Sequence, residues 1–293
     1  MATRRDYWVG VGLTGLGALA LSPDAMLFRL LDGPLWTSAF WRLLLMGLAV
    51  GAFLFAMRGA RLWGDMRGLG WALPVAAACI AISNLCFVFA LSQTTIADTL
   101  AILATAPIFA AIFATLLGER PPARTWFAAI AIAAGIAIIF DASFDANAWM
   151  GNLSAMTVAI SIAIFFVIGR AKASSDMTPA LALGAIFSSA TAATMAFVIG
   201  ETLLPPSTDW TLLLFSGLIV LPISLTLITL GPRRLPAAEV GLLMLLETAL
   251  GPVWGWLALG ETPSQATLLG GGLIVGSLVL HGLDAWRVQQ RRR

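Results

Sequence analysis

The chain has 293 residues, of which 59% are hydrophobic and only 11% charged, against roughly 25% charged in an ordinary soluble domain. With a mean hydropathy of +0.92, this composition excludes a soluble globular fold. The net charge of +2 and pI near 8.9 do not point to nucleic acid as a partner, because the basic residues sit in short loops beside apolar blocks.

In chain order, apolar blocks occupy 8–27, 34–57, 69–91, 96–117, 125–140, 152–169, 178–199, 210–230, 236–259 and 266–283. Such blocks have the length that crosses a hydrocarbon core of about 30 Å as a helix. They are continuously apolar and lack the ten-residue alternation of an outer-membrane barrel. The predicted fold is therefore an all-α polytopic membrane protein with ten transmembrane helices and the lipid bilayer as its surroundings. Arg4 and Arg5, the apolar run and Ala18-Leu19-Ala20 imitate a secretory signal, but the repeat described below requires this segment as the first helix. Cys79 and Cys86 share one face of the third helix about 10 Å apart, so they read as free thiols.

Lys and Arg accumulate on the cytoplasmic side of a membrane protein. With the amino terminus inside, fifteen of the seventeen basic residues face the cytoplasm, and the exceptions are Arg29 in the first outer loop and Arg42 within the second span. The outer loops hold Asp24, Asp32, Asp141, Asp145, Glu201, Asp209 and Glu261. This segregation supports ten spans and predicts both termini cytoplasmic.

The two halves repeat. The fourth span and its loop read Ala97, Pro107 and Gly118-Glu119-Arg120-Pro121; the ninth read Glu239, Pro252 and Gly260-Glu261-Thr262-Pro263, offset by about 142 residues. Each opens a helix rich in small residues. Five spans per copy is an odd number, so the second copy is inverted, with units at 1–146 and 147–293. Inverted repeats of this kind characterise secondary transporters, whose substrate site lies near the midplane between the halves. The Ala249 position departs from the repeat, because the partner of Pro107 is expected there and Pro252 comes three residues later.

Over essentially its whole length the sequence resembles the EamA-type permeases of the drug/metabolite transporter superfamily. The resemblance is carried by Arg42, by Asn84 with Ala90-Leu91, by Pro107 and Gly118-Glu119-Arg120, and by Glu247, Pro252 and Gly260-Glu261. It implies a ten-helix carrier of a small-molecule substrate in a bacterial-type inner membrane, often an exporter of amino acids or other metabolites. It also implies a central cavity lined by spans 1, 3, 4, 6, 8 and 9 that opens to one side at a time.

A charge deep in a span costs at least about 2.5 kcal/mol and so marks a candidate functional residue. Glu247 near the middle of the ninth span is a candidate proton or amine site; Arg42 is a candidate partner of a carboxylate. Asp98 lies near the outer start of the fourth span. Ser83 and Asn84 offer hydrogen bonds in the third, Pro107 frees a carbonyl in the fourth, and Trp41 and Trp254 are candidate aromatic walls. Each has a plainer reading in packing or mutual satisfaction. Glu239 reads as an acidic helix start beside Arg233 and Arg234.

Gly10-Val11-Gly12-Leu13-Thr14-Gly15 matches a dinucleotide fingerprint only in letters, since no strand or βαβ unit surrounds it. Helix packing is expected for it, as for Gly251 with Gly255 and Gly272 with Gly276. The lone His281 reads as structural, and neither metal nor cofactor is expected. The rival classes are a carrier of drugs or other metabolites on the same fold, an intramembrane enzyme and a channel. No His-Glu-x-x-His, paired mid-span aspartates, nucleotide-binding loop or repeated filter supports the last two.

Overall fold

A computed structural model describes residues 4–116, 123–141, 146–235 and 237–291. The first Gly-Glu motif (Gly118 to Pro121), Asp145, Arg292 and Arg293 lie outside the described residues. Among the described residues every regular element is helical. Eight segments are long and apolar enough to cross a membrane: Asp6–Arg29, Leu35–Arg58, Ala72–Gln93, Ile96–Thr115, Ala148–Ala171, Thr178–Ile199, Ser207–Arg233 and Glu239–Leu259. Two further helices, Ala123–Asp141 and Gln265–Arg291, fall on the fifth and tenth predicted blocks. In chain order these ten segments are spans 1 to 10.

The exterior is apolar, with Phe55, Ile130 and Phe197 turned outward, as hydrocarbon solvent requires. The interior is rich in alanine and serine, including Ala39, Ala76, Ala159, Ala185 and Ser188. Small residues let helices approach closely where no hydrophobic force drives them together.

The packing obeys a two-fold relation between halves. Spans 2 and 7, 4 and 9, and 5 and 10 pack as counterparts, while the packing of span 3 on span 6 is matched by span 8 on span 1. Along span 4, Ile96, Leu100 and Pro107 meet Gly255, Gly251 and Gly241 in turn. The sequence order on span 9 thus runs backwards, so these counterparts are antiparallel and the repeats are inverted. Spans 5 and 10 make a reciprocal contact: the Gly270 carbonyl lies 2.6 Å from where a Gly135 Cβ would sit, and the Gly135 carbonyl 2.6 Å from a Gly270 Cβ. A Cβ added at Gly272 or Gly276, both expected to pack, would meet nothing within 4 Å among the described residues. The close face of span 10 is one helical step earlier, at Gly270 and Gly271.

Several spans are interrupted. Span 1 breaks at Ser22-Pro23 and resumes as Asp24–Arg29, so Asp24 belongs to the membrane interior rather than to an outer loop. Span 4 breaks between Ile96–Leu103 and Ala106–Leu116, and span 9 between Ala237–Leu243 and Leu245–Leu259. Span 8 contains a π-helical turn at Ser216–Val220 before Pro222. A short helix, Arg61–Leu69, precedes span 3 and was not anticipated, because its nine residues mix charge with apolar groups.

Opposite membrane faces carry different ties. At one, Arg58 pairs with Asp65 at 3.0 Å and with Asp176. Burial pushes the Asp176 carboxyl up, but hydrogen bonds from Thr178 and the Arg58 guanidinium outweigh it and hold it below the usual carboxylate range. At the other, Glu201 accepts from the Trp36 and Thr37 N–H groups at 3.1 and 3.0 Å, and Asp209 from Gly33 N–H at 2.8 Å.

Two expectations follow. A Cβ on Gly184 would lie 2.6 Å from Ile80 Cβ and 2.8 Å from the Ala77 carbonyl, so Gly184→Ala is expected to cost about 1–3 kcal/mol and lower the Tm in detergent. Gly12→Ala, with nothing within 4 Å, is expected to leave it unchanged. The depressed Asp176 contributes stability above the unfolded carboxylate pKa of about 3.9 that is lost as pH falls through its lower folded value. Asp176→Asn is therefore expected to flatten the acid limb of a Tm-against-pH curve.

Candidate functional site

The helix breaks of spans 4 and 9 come opposite each other on the antiparallel pair. At the first, Thr105 N–H turns to the Ile102 carbonyl at 3.0 Å, and the Thr105 hydroxyl donates to the same carbonyl at 2.7 Å. At the second, Met244 N–H is shared between Val240 and Gly241 carbonyls at 3.2 and 3.1 Å, and Glu247 N–H donates to the Met244 carbonyl at 3.0 Å. Both are tight turns inside an otherwise α-helical span. Neither break contains a proline: Pro107 opens the second half of span 4 and Pro252 lies within the continuous second half of span 9. The symmetry questioned at Ala249 is thus present in the backbone although the prolines do not match.

A central cavity lies at these breaks, open to the centres of water molecules over about 110 Å³, room for several waters. Spans 1, 3, 4, 6, 8 and 9 supply nearly all its lining, joined by Arg42 from span 2 and Leu181 from span 7, while no described residue of spans 5 and 10 takes part. Most of the wall is apolar, with Phe87, Phe165 and Phe166 among the larger groups. Its polar groups are Asp24, Arg42, Ser83, Asn84, Thr229, Glu247 and Thr248.

The charges form one cluster. Arg42 is 3% exposed and its Nη2 pairs with Oδ2 of Asp24, itself 2% exposed. The Arg42 guanidinium also sits over the Phe28 ring, 5.2 Å from its centroid. Glu247, 6% exposed, lies within electrostatic range of both Asp24 and Arg42. Among the described residues Asp24 Oδ1 and Arg42 Nε have no hydrogen-bond partner. The cavity therefore gathers one cationic and two acidic side chains, with unused acceptor and donor atoms.

Of the predicted site residues, Arg42, Ser83, Asn84 and Glu247 come together here. Asn84 Nδ2 donates to the Ser188 hydroxyl at 3.2 Å, which orients the amide at the wall. Asp98, Pro107, Trp41 and Trp254 do not line the cavity. Asp98 belongs to the helix cap made by Thr95: its N–H donates to Thr95 Oγ at 3.0 Å, and its carboxylate accepts from the Thr95 and Thr267 hydroxyls at 2.9 and 2.5 Å. Pro107 packs on Gly241. Trp41 Nε1 donates to the Leu203 carbonyl at 2.6 Å, and Trp254 Nε1 to the Ser22 hydroxyl at 3.1 Å. Glu239 lies in the first turn of its helix as expected, and it also takes a hydrogen bond from Tyr7, with Arg170 as a charged neighbour.

Asp24 is the charged residue of the cavity that sequence reasoning missed, and Thr229, Thr248 and the phenylalanines are further lining residues it did not single out. The Ser22-Pro23 pair looked like the end of a span, and acids were assigned to outer loops. The available signal was Arg42: a guanidinium inside a span needs a counter-charge, and an acid shortly after a broken apolar run can supply it.

A solved crystal structure of a protein superimposes on 94% of this chain and 98% of its own with a TM-score of 0.70 at 21% identity, a likeness of fold. Over 202 residues the chain is 26% identical to the pseudopaline exporter CntI of Pseudomonas aeruginosa, in each of two strains, covering 67% of this chain and 69% of the exporter. The profile of the EamA-like transporter family matches residues 8–141 and again 149–283, the same duplication that the antiparallel packing displays. The chain belongs to the EamA-like transporter family.

Proposed function

We propose that this transporter exports small amphipathic metabolites bearing an ammonium group, most closely amino acids with hydrophobic or aromatic side chains, by alternating access. The observation that carries the reading is the charge balance of the cavity: Asp24 and Glu247 share the single cation Arg42. An uncompensated charge is costly in a dry interior, so the second carboxylate calls for either a proton or a cationic group of the substrate. An ammonium near Glu247 fits that need. Arg42 Nε and the Asn84 amide suit a carboxylate, and Phe87, Phe165 and Phe166 suit an apolar side chain. Export is supported by the likeness to an exporter.

In this reading the two halves, 1–146 and 147–293, rock about the opposed breaks of spans 4 and 9, which need little backbone change because their hydrogen-bond ladders are already interrupted. Pro107 keeps one break from annealing into a straight helix. Asp98 fixes the start of span 4, Trp254 ties span 9 to span 1, and Trp41 holds span 2 to the loop after span 7. The membrane is the bacterial inner membrane, with both termini cytoplasmic by the distribution of basic loops. Proton and substrate would alternate at Glu247.

The direct test is efflux of labelled amino acids from proteoliposomes with and without a pH gradient. Saturable, selective flux is expected, and uniformly unsaturable leakage would sink the carrier reading. Glu247→Gln is expected to abolish the response of flux to the pH gradient; normal rates with an unchanged response would remove Glu247 from the site. Asp24→Asn removes the salt-bridge partner of Arg42 but leaves Glu247 as an acid in range, so it is expected to cost only part of the about 3–5 kcal/mol of a buried charge left unpaired, seen as reduced yield and a lower Tm. Asp24→Leu combined with Arg42→Met is expected to recover the fold but not the flux.

A further inference from the structure

The second Gly-Glu motif takes no part in the cavity, yet it is built with care. Gly260 ends span 9 at φ +68°, a left-handed conformation that favours glycine. The chain thereby reverses, with Glu261 N–H donating back to the Gly255 carbonyl at 3.3 Å. This turn sends the Glu261 carboxylate across to the other repeat. There Oε1 accepts from Arg29 Nη2 at 2.5 Å, and Oε2 from the Ile96 N–H, the first of span 4, at 3.2 Å. Arg29 Nη1 in turn donates to the Leu91 carbonyl near the end of span 3 at 2.5 Å.

One carboxylate and one guanidinium thus join the ends of spans 1, 3, 4 and 9 at a single membrane face, and all four spans line the cavity. Gly200-Glu201 uses the same device at the end of span 7, with Gly200 at φ +78° and Glu201 on the start of span 2. That second tie lies on the peripheral pair of spans 2 and 7. Only the Glu261 tie gathers four cavity-lining spans.

We infer that Arg29 and Glu261 form the latch that closes this face of the transport pathway, so that they position the gate without touching the substrate. The inference rests on the carrier reading above. The pair suits a latch because its side chains remain 31% and 21% exposed: water can take over each partner when the spans part, which a fully buried pair such as Arg42 and Asp24 does not allow.

The test uses the full chain in right-side-out membrane vesicles, with Cys79 and Cys86 replaced by alanine and Phe87→Cys as a cavity reporter. A membrane-impermeant maleimide is applied from the Glu261 face. Glu261→Gln keeps an acceptor for Ile96 N–H and removes only the charge, so the fold is retained. It is expected to raise the labelling rate roughly three- to fivefold, the factor of a partly exposed ion pair. Arg29→Gln should do the same, and the double variant should add nothing further, because one interaction is lost in all three. Joining Arg29→Cys to Glu261→Cys with a bifunctional thiol reagent, before a reporter carrying an orthogonal alkyne side chain at position 87 is probed, should suppress labelling from this face. Unchanged labelling in both glutamine variants, or a cross-linked protein labelled as fast as the unlinked one, overturns the latch. Saturable efflux alongside such a result would leave the carrier standing, whereas altered labelling without saturable efflux would remove the carrier and leave the latch.

Discussion

Hydrocarbon solvates neither a charge nor a bare peptide group, and the interior of this protein is organised around that constraint. Arg42 carries a permanent positive charge inside a span, so an acid must be brought to it, and the break at Ser22-Pro23 does so by carrying Asp24 inward. A continuous helix through Ser22 would place Asp24 differently on its face. The need to neutralise one guanidinium thus shapes span 1, fixes its contact with span 2 and leaves Glu247 as the member of the cluster without a salt bridge among the described residues.

The same constraint explains where the backbone departs from ideal helix. Interruptions in lipid-facing helix would expose carbonyls to hydrocarbon. Those of spans 4 and 9 lie against each other and against the cavity, with the Thr105 hydroxyl and shared N–H groups taking up part of the freed bonding capacity. Close approach there depends on residues without bulk: Gly241 admits Pro107, and Gly251 admits Leu100 so tightly that a Cβ would lie 2.0 Å from its Cδ1. Antiparallel pairing, missing side chains and broken helices are three parts of one arrangement.

Much of this was legible beforehand. Continuous apolar blocks and the segregation of basic loops marked ten segments, and Gly260-Glu261 echoing Gly118-Glu119 marked the duplication. Arg42, Asn84, Ser83 and Glu247 stood out because polar groups are rare at depth, and they do meet. The break of span 4 is legible in Pro107, whose ring crowds the Leu103 carbonyl four residues back, where the first half of the span ends. The break at Met244 is not, because no proline follows within a turn, and Pro252 sits in unbroken helix. Asp98 and Trp254 illustrate the converse: depth marked them as chemical, but their hydrogen bonds to Thr95, Thr267 and Ser22 serve the fold. Gly272 and Gly276 had the right spacing on the wrong face, a one-step rotation of span 10 that letters alone do not reveal.

The reciprocal contact of Gly135 with Gly270 has a mechanical meaning. A contact in which each glycine's carbonyl faces the place of the other's Cβ straddles the local two-fold, and a point on an axis has no lever arm. If one half turns against the other about that line, the contact stays in place while displacement grows with distance from it. Spans 5 and 10, none of whose described residues line the cavity, thus join the two halves where a turn about that line would displace them least.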